Sequence, residues 1–414
     1  MEVVEAGYKM TEVGLIPEDW EVVSFAELAD PRVKWSITGG PFGSNLKTSD
    51  YTSEGVQIIQ LQNIGDGEFI NDSKVYTSEK KANELISNNI YPNEIIMSKM
   101  GDPVARACII PNHAKRFLMA SDGIRLVPDD RYFDFYFIHE FINSPHFRNR
   151  AIDASTGSTR QRIGLGDLKK LLIIKPTLTE QKAIATALSD VDALISQLDQ
   201  LIEKKKAIKQ GAMQELLTMK PDSNVVKLGK HSKMSSGGTP SSKIDEYYDG
   251  DIIWISISDI TNSGKYIDTS SKRISEKGLE SSSARMFPAG TVFLAMYASI
   301  GKCAIITKEA STSQAILGIS PKTSLSNEYL YYFLLYNKEK IANQGQQGTQ
   351  SNLNKGMVQE IDVVLPNIKK QEEIVEILSD IDSEVEKLGT KREKYKQIKQ
   401  GMMQELLTGK TRLI

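Results

Sequence analysis

The sequence is poor in the residues that most often carry chemistry. Only two cysteines, Cys108 and Cys303, occur in 414 residues, too few for a disulfide framework and not spaced as a metal site. The four histidines, His113, His139, His146 and His231, show no metal-ligand spacing and read as core or surface histidines. No run approaches the roughly 18 apolar residues of a membrane-spanning helix, and the opening MEVVEAGYKM lacks a basic-then-apolar leader pattern. A cytoplasmic chain with no membrane partner is therefore expected. Phosphate-loop, zinc-helix and nucleophile-elbow motifs are missing, and Gly164-Leu-Gly166 lacks the third glycine of a dinucleotide site. No catalytic residue, metal or cofactor is expected in this chain.

A charge excess of one sign is also missing. Lys and Arg number 51 against 53 Asp and Glu, a net of −2, which gives no compositional hint of a polyanionic partner. Residues 1–150 carry 15 basic and 22 acidic side chains, and residues 151–220 carry 11 and 8. Any anion-binding surface must therefore come from local placement.

What the chain does have is a repeat. IKQGAMQELLTMK at 208–220 returns as IKQGMMQELLTGK at 398–410, and 21 of the 40 positions of Gln181–Lys220 match Gln371–Lys410 at an offset of 190. The preceding regions resemble each other faintly: VQIIQLQNI (56–64) parallels DIIWISISDI (251–260). YPNEIIMSKMGDPVARACII (91–110) parallels FPAGTVFLAMYASIGKCAII (287–306) without a gap at offset 196. Both of the latter read as a turn at Pro, a strand, a Gly-containing loop and a second strand. The chain is a tandem duplication of a variable globular part and a strongly retained segment.

The retained segments are helical. Ile184, Leu188, Val191, Ile195, Leu198 and Ile202, and in the second copy Ile374, Leu378, Ile381, Val385, Leu388 and Tyr395, follow the alternating three- and four-residue steps of a coiled-coil seam. Forty helical residues span roughly 60 Å. Gly211 and Gly401 are expected weak points near the helix ends. Asp190 and Asp192 read as solvated charges. The near-identity of the IKQG and MQELLT stretches exceeds what a solvated face requires, which suggests that both copies bind the same partner.

The globular parts hold small, polar and basic loops at matching places. Thr38–Lys47 answers to Ser235–Pro240, and Ser155–Arg162 to Gly345–Asn352. Gly permits close backbone approach, Arg, Gln and Asn can contact base edges in pairs of hydrogen bonds, and Ser and Thr suit phosphates. The candidate DNA-binding residues are Lys47, Lys99, Arg106, Ser158, Thr159, Arg160 and Arg162 in the first unit. In the second they are Ser236, Thr239, Tyr297, Lys302, Thr349, Gln350 and Asn352.

The chain resembles the specificity subunit of type I restriction–modification systems. The residues that carry the resemblance are Tyr8-Lys-Met-Thr-Glu-Val-Gly-Leu-Ile-Pro-Glu-Asp-Trp20, the Gly157-Ser-Thr159 loop, the run from Pro176 through Glu180-Gln181, the SDVDALI and SDIDSEV helices and the two QGxMQELLT ends. The resemblance spans essentially the whole chain. It implies an α+β protein: two mixed α/β target recognition domains joined by two long antiparallel coiled-coil helices, with pseudo-twofold symmetry from the duplication. It further implies a non-catalytic subunit whose domains each read one half of an asymmetric, split site in double-stranded DNA. The helices would set the spacing and dock two methylating subunits, and restriction/translocase subunits would join them. S-adenosylmethionine, ATP and Mg would belong to those partners. Gln350 stands where the first copy has Arg160, which implies a less electrostatic second loop. The expected divisions are an N-terminal arm at 1–17, recognition domains at 18–177 and 221–367, and helical repeats at 178–220 and 368–414. A coiled-coil scaffold for proteins, or an orphan specificity module of another restriction architecture, are the alternatives.

Overall fold

The computed structural model describes residues 6–157, 160–344 and 352–413. Two compact units emerge: residues 1–197 with 391–414, and residues 198–390. Each unit thus takes half of each long helix. The helices run over Leu178–Leu217 and Ile368–Leu406 and continue through Gly211 and Gly401, so these glycines do not interrupt them. The reason is local, because the surrounding residues are strong helix formers and a single glycine costs only about 1 kcal/mol.

In the first unit, an antiparallel four-stranded sheet has the order Ala107–Ile109, Ile95–Ser98, Gly123–Leu126, Ile37–Gly39. A five-stranded mixed sheet follows the order Tyr51–Thr52, Val75–Thr77, Val56–Ile59, Phe117–Met119, Asn89–Ile90. The apolar run at Val56–Ile59 is buried at every position, as expected of a strand covered on both faces. Residues 8–17 form a hairpin. Its strands Tyr8–Thr11 and Gly14–Pro17 pair, Val13 and Ile16 enter the core, and the Tyr8 hydroxyl donates to the Gly409 carbonyl at 2.9 Å.

The second unit repeats the plan with other lengths. A five-stranded sheet has the order Ser232–Ser236, Ile316–Pro321, Val292–Ala295, Cys303–Ile306, Tyr266–Ile267. A three-stranded sheet holds Lys272–Ile274, Ile252–Ile255 and Ser311–Thr312. In both units a two-stranded ribbon leads into a long helix: Glu21–Ser24 with Leu172–Lys175, and Val225–Lys227 with Asp362–Val364. Among the described residues no helix is long and apolar enough to cross a membrane.

The seam positions Ile184, Leu188, Val191, Leu198, Ile202, Ile374 and Leu378 are buried, and Ile195, Ile381, Val385, Leu388 and Tyr395 are half-buried. The stripe does more than face the other helix. Ile184 and Leu188 join Phe137, Phe141 and Leu406 in one core, and Ile374 and Leu378 join Met213, Leu217 and Tyr329 in another. The pairing is antiparallel, with Lys399 on Asp192 in the first unit and Lys209 on Asp382 in the second.

Asp192 is therefore not a solvated charge. It accepts from the Tyr136 hydroxyl and from Lys399 Nζ, the latter at 2.6 Å. Lys399 also meets the buried Glu140 at 2.8 Å, and Glu140 shares a 3.0 Å hydrogen bond with His139. In the second unit Asp382 accepts from Lys209 and from the Tyr332 hydroxyl at 2.8 Å. Part of the near-identity of the two helices thus has an intrachain cause: each Asp and each Lys is needed to close one such network.

Burial acts to raise Glu140, but His139 and Lys399 together outweigh it and hold the carboxyl below its ordinary 4.5. Stability from this group is then present above pH 4.5 and is lost as pH falls through the lowered value. In an acid titration monitored by urea unfolding, Glu140→Gln is expected to flatten the loss below about pH 4.5. An acid limb identical to that of the parent chain would exclude Glu140 as a contributor.

Candidate nucleic-acid interface

In the first unit, three strands of the four-stranded sheet end at one rim, and hydrogen bonds tie their loops together. Gly40 N–H donates to Gly123 O at 2.8 Å, Lys99 N–H to Asp122 O at 2.7 Å, and Ile163 N–H to Lys99 O at 2.9 Å. The 156–162 loop closes on itself through mutual 2.9 Å bonds between the Thr156 and Arg162 backbones, with Gly157 at φ +102°. A side chain there would strain the turn.

This rim gathers four of the candidates. The Lys99 ammonium donates to Ser121 O at 3.1 Å and lies so close to Gly39 that a Cβ there would come within 2.6 Å of Nζ. Arg162 pairs with Asp122 at 2.8 Å, Arg160 is exposed on the same loop, and the Arg106 guanidinium lies beside Gly101. Neither Lys99 nor Arg106 has a carboxylate within 4 Å among the described residues, and Arg106 Nε is buried without an acceptor. Burial, and next the Arg162 charge, push Lys99 below its ordinary value. Asp122 pairs with Arg162 and its charge also acts on Lys99; an anion such as a phosphate relieves the crowding of the remaining cations. Lys47 is not tied to this group. It is exposed, and its backbone N–H caps the Thr48–Asp50 turn by donating to Asp50 at 2.8 Å.

Other carboxylates of the first unit have partners of their own. Glu94 is held by Arg125, Asp66 by Arg148 and Glu79 by Arg116. Asp30, Asp129 and Asp130 come close enough together to suggest a cation site, but Arg32 and Arg131 already occupy their oxygens.

The second unit builds the same rim with fewer cations. Gly238 N–H donates to Thr312 O at 2.9 Å, Met296 N–H to Ala315 O at 2.9 Å, and Leu353 N–H to Met296 O at 3.0 Å. This brings the Gly237–Pro240 turn, the 296–302 loop and Asn352 to one place. Thr239, Tyr297 and Asn352 are exposed there, and Thr239 hydrogen-bonds Gln314. Ser236 is the last residue of its strand, and Lys302 is half-buried. Ser158, Thr159, Thr349 and Gln350 lie outside the described residues.

The backbone also corrects the gapless match between 91–110 and 287–306. Ala107 pairs with Met97, whereas Cys303 pairs with Leu294. The first loop is therefore one residue longer, and the strands before it correspond at an offset of 197, not 196. Lys99 answers to Met296, consistent with the Ile163 and Leu353 amides that bond to them. Arg106 still answers to Lys302. Sequence reasoning missed Ser121, Asp122 and Gln314, which line the rims from the turn after a buried strand. It also missed Phe42, whose exposure nothing in the local pattern signals.

The family described as the type I restriction modification DNA specificity domain matches this chain twice, over residues 17–209 and 221–399. The type I restriction enzyme MjaIX specificity subunit of Methanocaldococcus jannaschii is 33% identical over 168 residues, which are 40% of this chain and 39% of the relative. The putative MjaX specificity subunit of the same organism is 25% identical over 99% of this chain and 97% of its own length. The EcoR124I/EcoR124II specificity subunit of Escherichia coli is 27% identical over 54% of this chain and 58% of its own length. Among solved structures, one described under complex assembly and conformational transition of the type I R-M system superposes with a TM-score of 0.65 at 15% identity, covering 96% of this chain and 99% of that one. The S subunit from M. genitalium gives a TM-score of 0.54 at 17% identity, covering 94% and 96%. These two likenesses concern the fold.

Proposed function

The chain belongs to the type I restriction–modification DNA specificity family, and from that premise we propose that its two rims each read one half of a split, asymmetric site in double-stranded DNA. It is a specificity subunit, a recognition component without catalysis of its own. The observation that carries the bipartite reading is that one backbone plan presents two rims of different chemistry. The first offers Lys99, Arg106, Arg160 and Arg162, and the second offers Thr239, Tyr297, Gln314 and Asn352. Cations suit phosphates and guanine edges, while amides and hydroxyls suit adenine edges and sugar–phosphate oxygens. Unlike rims require unlike half-sites.

The helices fit the role of ruler and dock. Ile208 and Ile398 are identical, apolar and exposed, and Gln210, Gln214, Gln400 and Gln404 beside them are exposed as well. Repeated exposed residues with no intrachain task support two copies of one partner, a methylating subunit, with restriction and translocation supplied by further subunits. S-adenosylmethionine, ATP and Mg would be those subunits' cofactors. The assembly would be cytoplasmic.

Co-expression with its methylating subunit, followed by sequencing of methylated DNA, tests the reading. A split motif with unlike halves is expected, and Arg162→Ala should relax or weaken recognition of one half alone by about ten-fold or more. A symmetric motif, or methylation without a split motif, would count against it.

A further inference from the structure

Phe42 is 82% exposed, the highest value of any large apolar side chain among the described residues. Its loop is fixed on both sides. Gly40 lies so tightly on the 120–121 backbone that a Cβ would come within 1.7 Å of Ala120 O. Pro41 is buried, Leu46 enters a small core with Val56 and Leu118, and Asn45 N–H closes the turn on Phe42 O at 2.8 Å. The ring is thus held out in water by anchored backbone, two residues from the Gly40 contact and on the rim that carries Lys99, Arg106 and Arg162. An exposed ring of this size forgoes the burial that normally places Phe in cores.

We propose that Phe42 is a specificity-determining wedge that enters a groove of the first half-site and stacks against or between its bases, while the neighbouring cations hold the flanking phosphates. This rests on the DNA reading given above. A lone ring beside the exposed Gly43, Ser44 and Asn45 does not form the contiguous apolar patch of a protein interface. One apolar side chain is enough to part a base step. The corresponding loop of the second rim has no such ring, because Gly237-Gly238 is followed by Thr239, which bonds Gln314, and by the buried Pro240; the exposed Tyr297 of that rim lies on the 296–302 loop and is less than half as exposed as Phe42. Phe42 therefore acts on the first half-site alone.

The test uses the complex of the full chain with its methylating subunit and a duplex carrying the motif that this complex methylates. 2-Aminopurine replaces adenines in each half in turn. On binding, the parent complex is expected to change 2-aminopurine emission at one step of the first half-site. Phe42→Ala should abolish that change and weaken binding by about ten-fold or more, and Phe42→Trp should keep both. Because the side chain is solvent-exposed, Phe42→Ala is expected to unfold as the parent does. Parent-like emission and affinity in Phe42→Ala, or an emission change confined to the second half-site, overturns the wedge while leaving the DNA reading intact. A parent complex that methylates no split motif removes the DNA reading, and the wedge with it.

Discussion

Replacing Gln181 by Leu is expected to lower the stability of the first unit by about 3–5 kcal/mol, and Gln371→Leu to do the same to the second. Both glutamines are completely buried and make the same three bonds. Gln181 Nε2 donates to Tyr132 O at 3.0 Å and Pro176 O at 2.9 Å, while its Oε1 accepts from Asp134 N–H at 2.9 Å. Gln371 Nε2 donates to Ser324 O at 3.0 Å and Pro366 O at 2.9 Å, and its Oε1 accepts from Ser326 N–H at 2.8 Å. Asp134 and Ser326 are the N-caps of Phe135–Asn143 and Asn327–Tyr336. One amide therefore fastens the start of each long helix to the start of its domain helix. Leu fills a similar volume but leaves two carbonyls and one N–H without partners, each at about 1–3 kcal/mol. Thermal unfolding should fall by about 10 °C or more in the affected unit. Gln181→Glu should be no milder, because a carboxylate would face the two carbonyls. A loss below about 1 kcal/mol in both single variants would show that water replaces the amide.

Much of this architecture was legible in the repeat. The three- and four-residue steps that include Leu188, Leu198 and Leu378 identify the buried stripe, and the identity of Gln181 with Gln371 marks a position that both copies need. The loops carrying Lys99 and Arg162 were legible as basic loops at matching places. Their convergence was not, because it depends on non-local bonds such as Ile163 N–H to Lys99 O. Register was misread for the same reason: a gapless match cannot reveal that Ala107 pairs with Met97 while Cys303 pairs with Leu294. Asp192 read as solvated because its partners come from distant sequence, Tyr136 on a domain helix and Lys399 on the other long helix. The neutral net charge misled in one respect. Opposite charges cancel in the total, yet in the first unit many carboxylates pair away from the rim while Lys99 and Arg106 remain without carboxylate partners there.

Lys399→Met should cost about 3–5 kcal/mol, and the equivalent Lys209→Met only about 1 kcal/mol. The two lysines occupy matching positions, so a difference must come from what each neutralises. Lys399 faces the buried Glu140 as well as Asp192, and its removal leaves a carboxylate with almost no access to water. Lys209 faces Asp382, whose side chain is 35% exposed. At the position of Glu140, counting from the two N-caps, the second unit has Tyr332, whose hydroxyl donates to Asp382. A neutral donor there needs no counter-charge. Adding Glu140→Gln to Lys399→Met should therefore recover a large part of the loss, since it removes the stranded charge, whereas Glu140→Gln alone should be mild. Urea unfolding of the four variants measures the coupling directly. Equal losses for Lys399→Met and Lys209→Met, with no recovery in the double variant, would mean that the lysines act through the packing of their stems rather than through charge.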